Sequence, residues 1–398
     1  MSFLLRKQKG LIFTGIAKLT IIGFIATIAF AFVDTIWAVY LESFVKNISI
    51  VGFISAGLTV ISFFSYFYFI PLIERSNKSK ICFYSLLGFA ISYVLFAINK
   101  NFYVVVVLAF IITILTTLRI TSFGIIVRDK SSGKNLARNE GLMYTFGNIA
   151  WLVGPLIAGF LAEKYNLSLI FVLAAIFIII SLFIFKISKI NDANIVKRNN
   201  PKIWKDFIDF FKNKTRVVAY FLGGGVNFWW SLIFLFMPIY MVESGLGMRY
   251  VGYFLFAIAV PLVSLEYFFS KLAGKIGFKK IFKIGFFIPF VLVTICFFVT
   301  NLYIILLLLV LASVGMAMIE PTTEAYFFDI LKNKKEECRF YGPYNTTMDV
   351  NYFVGKFIAA TILLFLPFKF LFLFFGLFLF LFFLLSFSVK NVIENRRG

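Results

Sequence analysis

Apolar residues in this chain fall into long runs broken by short polar loops. Twelve runs are long enough to cross a bilayer core of about 30 Å. In the first half they lie at roughly 18–41, 50–73, 81–98, 102–127, 141–162 and 167–187. In the second they lie at roughly 217–242, 250–271, 281–300, 302–330, 342–367 and 368–389. Each predicts a membrane-spanning helix, because a helix satisfies its own backbone in lipid. Short loops make consecutive helices antiparallel neighbours. The one long polar stretch, 188–216, separates a first six-helix bundle, 1–187, from a second, 217–398. Inside it Ile203, Trp204, Phe207, Ile208 and Phe211 recur at helical spacing between charged residues. That pattern predicts a short amphipathic helix on the membrane surface, tethering the halves.

The two halves repeat. A shift of two hundred positions lays Val51-Gly52-Phe53 on Val251-Gly252-Tyr253, Phe69 on Phe269, Arg75 on Lys275 and Lys80 on Lys280. With a slip of one residue, Trp151-Leu152-Val153-Gly154 falls on Tyr352-Phe353-Val354-Gly355. A fixed long period marks one structural unit used twice. In a membrane protein, parallel copies point to a transporter with its site between them. The expected fold is therefore all-α and integral to the membrane, with twelve transmembrane helices in two pseudo-symmetric bundles.

Composition agrees and narrows the field. The chain is 61% hydrophobic and 14% charged, with mean hydropathy +0.96, which excludes an ordinary soluble domain. A net charge of +21 would suggest nucleic acid in a soluble protein, but the distribution of bases decides otherwise. Lys46, Lys100, Lys164, Arg249 and Lys369 fall in one set of loops, Arg119 and Lys356 lie within spans, and the remaining bases lie on the opposite side. By the positive-inside rule both termini are expected in the cytoplasm, with the bases facing anionic membrane lipid and no nucleic acid bound. Met1–Gly10 is short and basic and leads into a span too long for a signal-peptide core, so it is expected to remain. Cys82, Cys296 and Cys338 show no pairing or metal spacing. No phosphate loop, nucleophile elbow, zinc pair or haem motif is present, so no enzyme activity, metal or cofactor is expected. Histidine is absent, so any transported proton must ride on a carboxylate.

Three local patterns add a resemblance. Between the second and third spans, Glu74-Arg75-Ser76-Asn77-Lys78-Ser79-Lys80 is similar to the acidic-basic loop motif of the major facilitator superfamily, with Asn77 where glycine is usual. The second copy keeps the glycine (Gly277) and the bases, including Lys275, but has Gly274 in the acid's place. In the fifth span, Gly147, Gly154-Pro155 and Gly159 resemble the motif of members that export solutes by antiport. Arg119 followed by Gly124 is close to the family's fourth-helix pattern, with one extra residue between. Charged loops can pair with helix ends, small residues let helices approach closely, and Pro155 bends its helix. The resemblance covers essentially the whole chain. It implies that the first, fourth, seventh and tenth helices line a central cavity.

Charges inside a membrane cost at least about 2.5 kcal/mol each, so they are candidate sites. On the helices that the resemblance assigns to the cavity they are Asp34, Arg119, Glu320 and Glu324. Arg119 and Glu320 occupy the same position of the repeat and are level in depth. They are expected to pair across the pseudo-symmetry axis, with Glu324 one turn away. Pro321 removes a helical hydrogen bond to Ala317 and predicts a hinge. Asp349 and Lys356 share a helix face, and Lys356 is expected to partner an acid such as Glu324 or Glu266. Trp37, Asn227 and Trp230 are further candidate cavity contacts, tryptophan near a boundary serving equally as an interfacial anchor. Together these predict a multi-pass transporter of the plasma membrane, acting as a monomer on a small-molecule substrate and coupled to protons or another ion. Efflux of cationic or amphipathic solutes by antiport is the first reading. Proton-coupled import of a sugar or other metabolite, and a non-transporting scramblase or receptor, are the alternatives.

Overall fold

The computed structural model describes residues 4–7, 10–13, 15–131, 136–190, 203–332 and 334–390. Nearly all of it is helix. In the first half these are α1 (Gly15–Val45), α2 (Ile48–Arg75), α3 (Lys78–Ile98), α4 (Phe102–Lys130), α5 (Leu136–Lys164) and α6 (Leu167–Ile187). A short α7 (Ile203–Phe211) follows, then α8 (Lys214–Glu243), α9 (Met248–Ile276), α10 (Phe278–Cys296) and α11 (Leu302–Asp329). The chain ends with α12 (Lys334–Asn345), α13 (Thr347–Phe365) and α14 (Lys369–Ser386). Ahead of α1, strands β1 (Leu4–Lys7) and β2 (Gly10–Phe13) pair antiparallel, which the basic start of the chain did not predict.

Among the described residues, 11 helices are long and apolar enough to cross a membrane. The predicted span at 281–300 is α10, which misses that count because Lys279, Lys280 and Lys283 crowd its first turns. Large apolar side chains are exposed throughout, among them Tyr267 at 81%, Phe365 at 79% and Phe298 at 74%. Such a surface would aggregate in water and is at ease in lipid. The protein is a multi-pass membrane protein.

Two compact units form. One comprises Met1–Phe44, Ile61–Asn199 and Gly247–Tyr253; the other comprises Val45–Val60, Asn200–Leu246 and Phe254–Gly398. In the first, Tyr40 of α1 donates to the Phe96 carbonyl of α3 (3.0 Å), and Ser181 of α6 donates to the Ile22 carbonyl (3.0 Å). The start of α9 crosses α5 so closely that a Cβ added to Gly159 would lie 2.6 Å from the Met248 carbonyl and 2.8 Å from Gly252 Cα. Beside this crossing Glu163 accepts the Arg249 backbone N–H (2.8 Å) and pairs with its guanidinium (3.3 Å). In the second unit the duplicated step recurs, with Gly52 of α2 against Ala360 of α13. Its core is aromatic: Phe228 stacks on Phe378 (4.8 Å) and Phe286 on Phe382 (5.4 Å).

Helix α7 also belongs to the second unit. Its Phe210 is fully buried, against Tyr220, Phe327 and Phe340. Arg339 bridges Asp206 (2.5 Å) and Asp209, while Arg216 donates to the Phe210 carbonyl (3.2 Å). The apolar stripe read as a membrane-surface tether thus places one of its aromatic rings against protein.

Candidate functional site

The motif residues set the helix corners. Between α2 and α3, Asn77 caps α3 at φ −73° and its side chain accepts the Lys80 N–H at 2.8 Å. The second copy solves the same corner with Gly277 at φ +85°, in the left-handed region that glycine adopts freely. Arg75 and Lys275 are both exposed; the Glu74 side chain lies outside the described residues. In α5, Gly154 packs on Ala31 of α1, and Pro155 sits inside the helix with its carbonyl against Gly252.

In the first unit, Arg119 lies in the interior of α4. Its guanidinium carbon stands 4.2 Å above the Phe30 ring of α1, a cation–π contact. Cys82, Tyr93, Tyr66 and Asp34 are its electrostatic neighbours, from α3, α2 and α1. Arg119 Nε is buried without a hydrogen-bond partner. Asp34 is exposed on α1, one turn from Phe30. The structure therefore brings Asp34 and Arg119 into one neighbourhood. Trp37 packs edge-on to Phe96 at 5.5 Å.

In the second unit, Glu320 lies in α11, which runs unbroken through Pro321. Glu320 Oε2 is buried and has no hydrogen-bond partner. Its electrostatic neighbour is Glu266 of α9, and its side-chain hydrogen-bonding neighbour is Trp230 of α8. Glu266 is the residue that the sequence reading passed over as a site, having placed it only as a partner for Lys356. Two acids on different helices carry no spacing signal that would join them.

Trp230 stands just before an irregular turn of α8. Pro238 has no N–H for the Phe234 carbonyl, and Leu232–Phe236 widens into a π turn, closed by the Met237 N–H bonding the Leu232 carbonyl. Such turns frequently occur at functional sites. Asn227 is buried one turn earlier, donating weakly to the Gly223 carbonyl (3.4 Å).

The remaining intramembrane charges lie elsewhere on α11 and α13. Glu324 accepts the Tyr341 hydroxyl at 2.9 Å. Lys356 donates to Thr59 at 3.0 Å and lies over the Tyr352 ring at 4.8 Å. Asp349 is half-buried in the first turn of α13, within electrostatic reach of Tyr220. Among the described residues, no group of three or more His, Cys, Asp or Glu is arranged to hold a metal ion.

Comparison with known proteins extends these findings. The family model of the Major Facilitator Superfamily matches residues 19–265 and again 260–396. Among solved structures, a peptide transporter POT in complex with sulfate is similar at TM-score 0.76 and 13% identity, covering 96% of this chain and 94% of its own. A bacterial homolog of the human lysosomal transporter Spinster, inward-facing and unoccupied, is similar at TM-score 0.75 and 12% identity, with 94% and 96% covered. The nucleoside transporter NupG is similar at TM-score 0.74 and 11% identity, with 94% and 99% covered. No curated protein matches the sequence. At such identities the structures share the fold and nothing finer.

Proposed function

The chain belongs to the Major Facilitator Superfamily, and we propose that it is a proton-coupled exporter of cationic or amphipathic small molecules. It would work by alternating access, in the plasma membrane with both termini cytoplasmic. The observation that carries this reading is the Glu320 carboxylate: buried, one oxygen without a partner, and set beside a second acid, Glu266. Two neighbouring carboxylates in apolar surroundings hold one proton between them more readily than two negative charges. With no histidine in the chain, such a pair is the natural carrier of a coupling proton.

Arg119 offers the opposite charge at the counterpart position of the repeat. Its Nε and Glu320 Oε2 are each buried and unpartnered. We assign them as partners at one stage of the cycle: protonation of Glu320 removes its charge, releases Arg119 and lets the halves rearrange. Asp34, beside Arg119, supplies a negative charge to a cationic solute. A charge compensated within its own neighbourhood costs least in the membrane, so the solute is drawn to Asp34 and the proton to the Glu320–Glu266 pair. Antiport follows when solute and proton favour opposite states of the cycle.

The test is transport in liposomes under an imposed pH gradient, with a solute identified by thermal-shift screening. Glu320→Gln and Glu266→Gln should each abolish acceleration by the gradient while leaving exchange of solute for solute. Unchanged gradient dependence in both variants would remove these acids from coupling. Absence of flux for every ligand that stabilises the protein would favour the scramblase or receptor reading.

A further inference from the structure

A groove of about 220 Å³ opens in the first unit between the start of α3 and the end of α6. Lys80, Lys186 and Lys189 line it together with Phe83, Tyr84 and Phe185, and its lining contains no acid. All three lysines are exposed, and none makes an ion pair among the described residues. Three cations around one concavity, with no acid among its described lining residues, repel one another, so an anion seated there is favoured.

Three further features define that anion. First, the groove lies where two spans end, α3 beginning at Lys78 and α6 ending at Ile187. Its surroundings face lipid: Tyr84 is 63% exposed, Phe183 65% and Ile187 61%. It therefore sits at headgroup depth, with apolar surface on its membrane side. Second, Lys189 adopts φ +46°, at the end of α6 where glycine is ordinarily preferred. A long cationic side chain is kept at a position whose backbone favours none. Third, the volume suits a headgroup rather than a drug-sized solute, whose pockets start near about 300 Å³.

The same corner of the second copy is built differently. There Lys283 replaces Phe83, and its ammonium lies 3.8 Å over the Phe387 ring. One of its bases is thereby occupied by an aromatic face of its own unit.

We propose that the α3–α6 groove binds the phosphate of an anionic phospholipid, the three lysines surrounding the phosphate and the aromatic wall receiving the first carbons of the acyl chains. The shared chemistry is phosphate, which a soluble ion also supplies, and the experiment separates the two. The full chain, purified in detergent, is titrated with phosphatidylglycerol, phosphatidylcholine or inorganic phosphate. Retained lipid is read by native mass spectrometry and stabilisation by the melting midpoint.

Phosphatidylglycerol should be retained and should stabilise, with phosphatidylcholine and inorganic phosphate ineffective. Each lysine near an anionic lipid contributes roughly fivefold in affinity. The triple variant Lys80→Gln, Lys186→Gln, Lys189→Gln should therefore weaken phosphatidylglycerol binding at least about tenfold. An equal loss of charge at the same corner of the second copy, Lys279→Gln, Lys280→Gln, Lys390→Gln, should alter it less than about threefold. Should the first triple variant fail to purify, Lys189→Glu alone gives the same reading, with a loss of at least about fivefold. Equal losses in both triple variants, or none in either, would overturn the site. Inorganic phosphate matching the lipid would overturn the lipid as its occupant.

Discussion

Replacing Gly159 by alanine puts a single methyl group where two backbones meet. The added carbon would lie 2.6 Å from the Met248 carbonyl oxygen and 2.8 Å from Gly252 Cα, against 3.4–4 Å for ordinary contact. Both obstacles are backbone, so no flexible side chain can swing aside, and the start of α9 must lift from α5. Overpacking of this kind costs about 1–3 kcal/mol. For a unit of this size that lowers the melting midpoint by about 2–12 °C. Gly147, about three turns upstream in the same helix, is the control, since a Cβ there meets nothing within 4 Å. There alanine should be neutral or gain up to about 1 kcal/mol of helix propensity. Cys82 and Cys296 are both buried, so in a Cys338→Ser background a thiol-reactive dye reports unfolding of either unit. The neighbouring Glu163–Arg249 pair is 30–40% exposed and is worth less than about 1 kcal/mol. Glu163→Gln should therefore be nearly silent, and the glycine contact dominates the crossing. If Gly159→Ala melts with the wild type while folding normally, the close approach of these two helices is refuted.

Other consequences are equally open to measurement. Phe210→Ala empties a fully buried ring site and should cost about 3–5 kcal/mol of local packing, seen as faster hydrogen exchange across 203–211 with the spans unaffected. Lys212 and then Arg339, by hydrogen bonding, hold the Asp209 carboxyl below its ordinary value of 3.8. Its contribution to docking α7 is thus present above that value and lost as pH falls through the lower, folded one. Exchange in α7, corrected for its intrinsic rate, should be level from neutrality to about pH 5 and rise below about pH 4; a rise near neutrality would contradict the assignment. Arg119→Lys keeps the charge but loses the planar face above Phe30. Transport should fall while the melting midpoint moves little; full activity would show that charge alone suffices.

The spans were legible because lipid imposes one demand on every stretch that crosses it, a long apolar run. α10 shows where that signal weakens, since Lys279, Lys280 and Lys283 shorten its apolar run without changing its place in the order. The amphipathic stripe of α7 was legible as a helix but not as a docked one, because an apolar face fits lipid and protein alike; the residues that tie it to its own unit, among them Phe327, Arg339 and Phe340, lie far along the chain. The neighbourhood of Glu320 and Glu266 was hidden for a related reason. Periodicity relates residues on one helix, whereas this meeting depends on how α9 and α11 pack. The π turn had a visible cause in Pro238, but a proline in a span predicts a break in bonding without saying how the backbone repairs it.

The repeat separates what the fold requires from what the site requires. Gly52 and Gly252 persist at the same step because each faces another helix at close range, Ala360 in one case and Gly159 in the other. Those two partners are themselves counterparts, so the crossing was duplicated as a pair and small residues were kept on both sides. At the corner after the second helix of each copy, Asn77 and Gly277 reach the same start of a helix by different means, a side-chain cap and a positive φ. Geometry there can be met in two ways, and the residues have drifted. Arg119 and Glu320 follow neither pattern, since no packing constraint asks for opposite charges at one position of a repeated unit. Each keeps a buried polar atom without a partner, which costs stability. Packing and folding give no return for that cost, whereas the coupling role proposed above for Arg119 and Glu320 would account for it at the position where the two copies differ in sign.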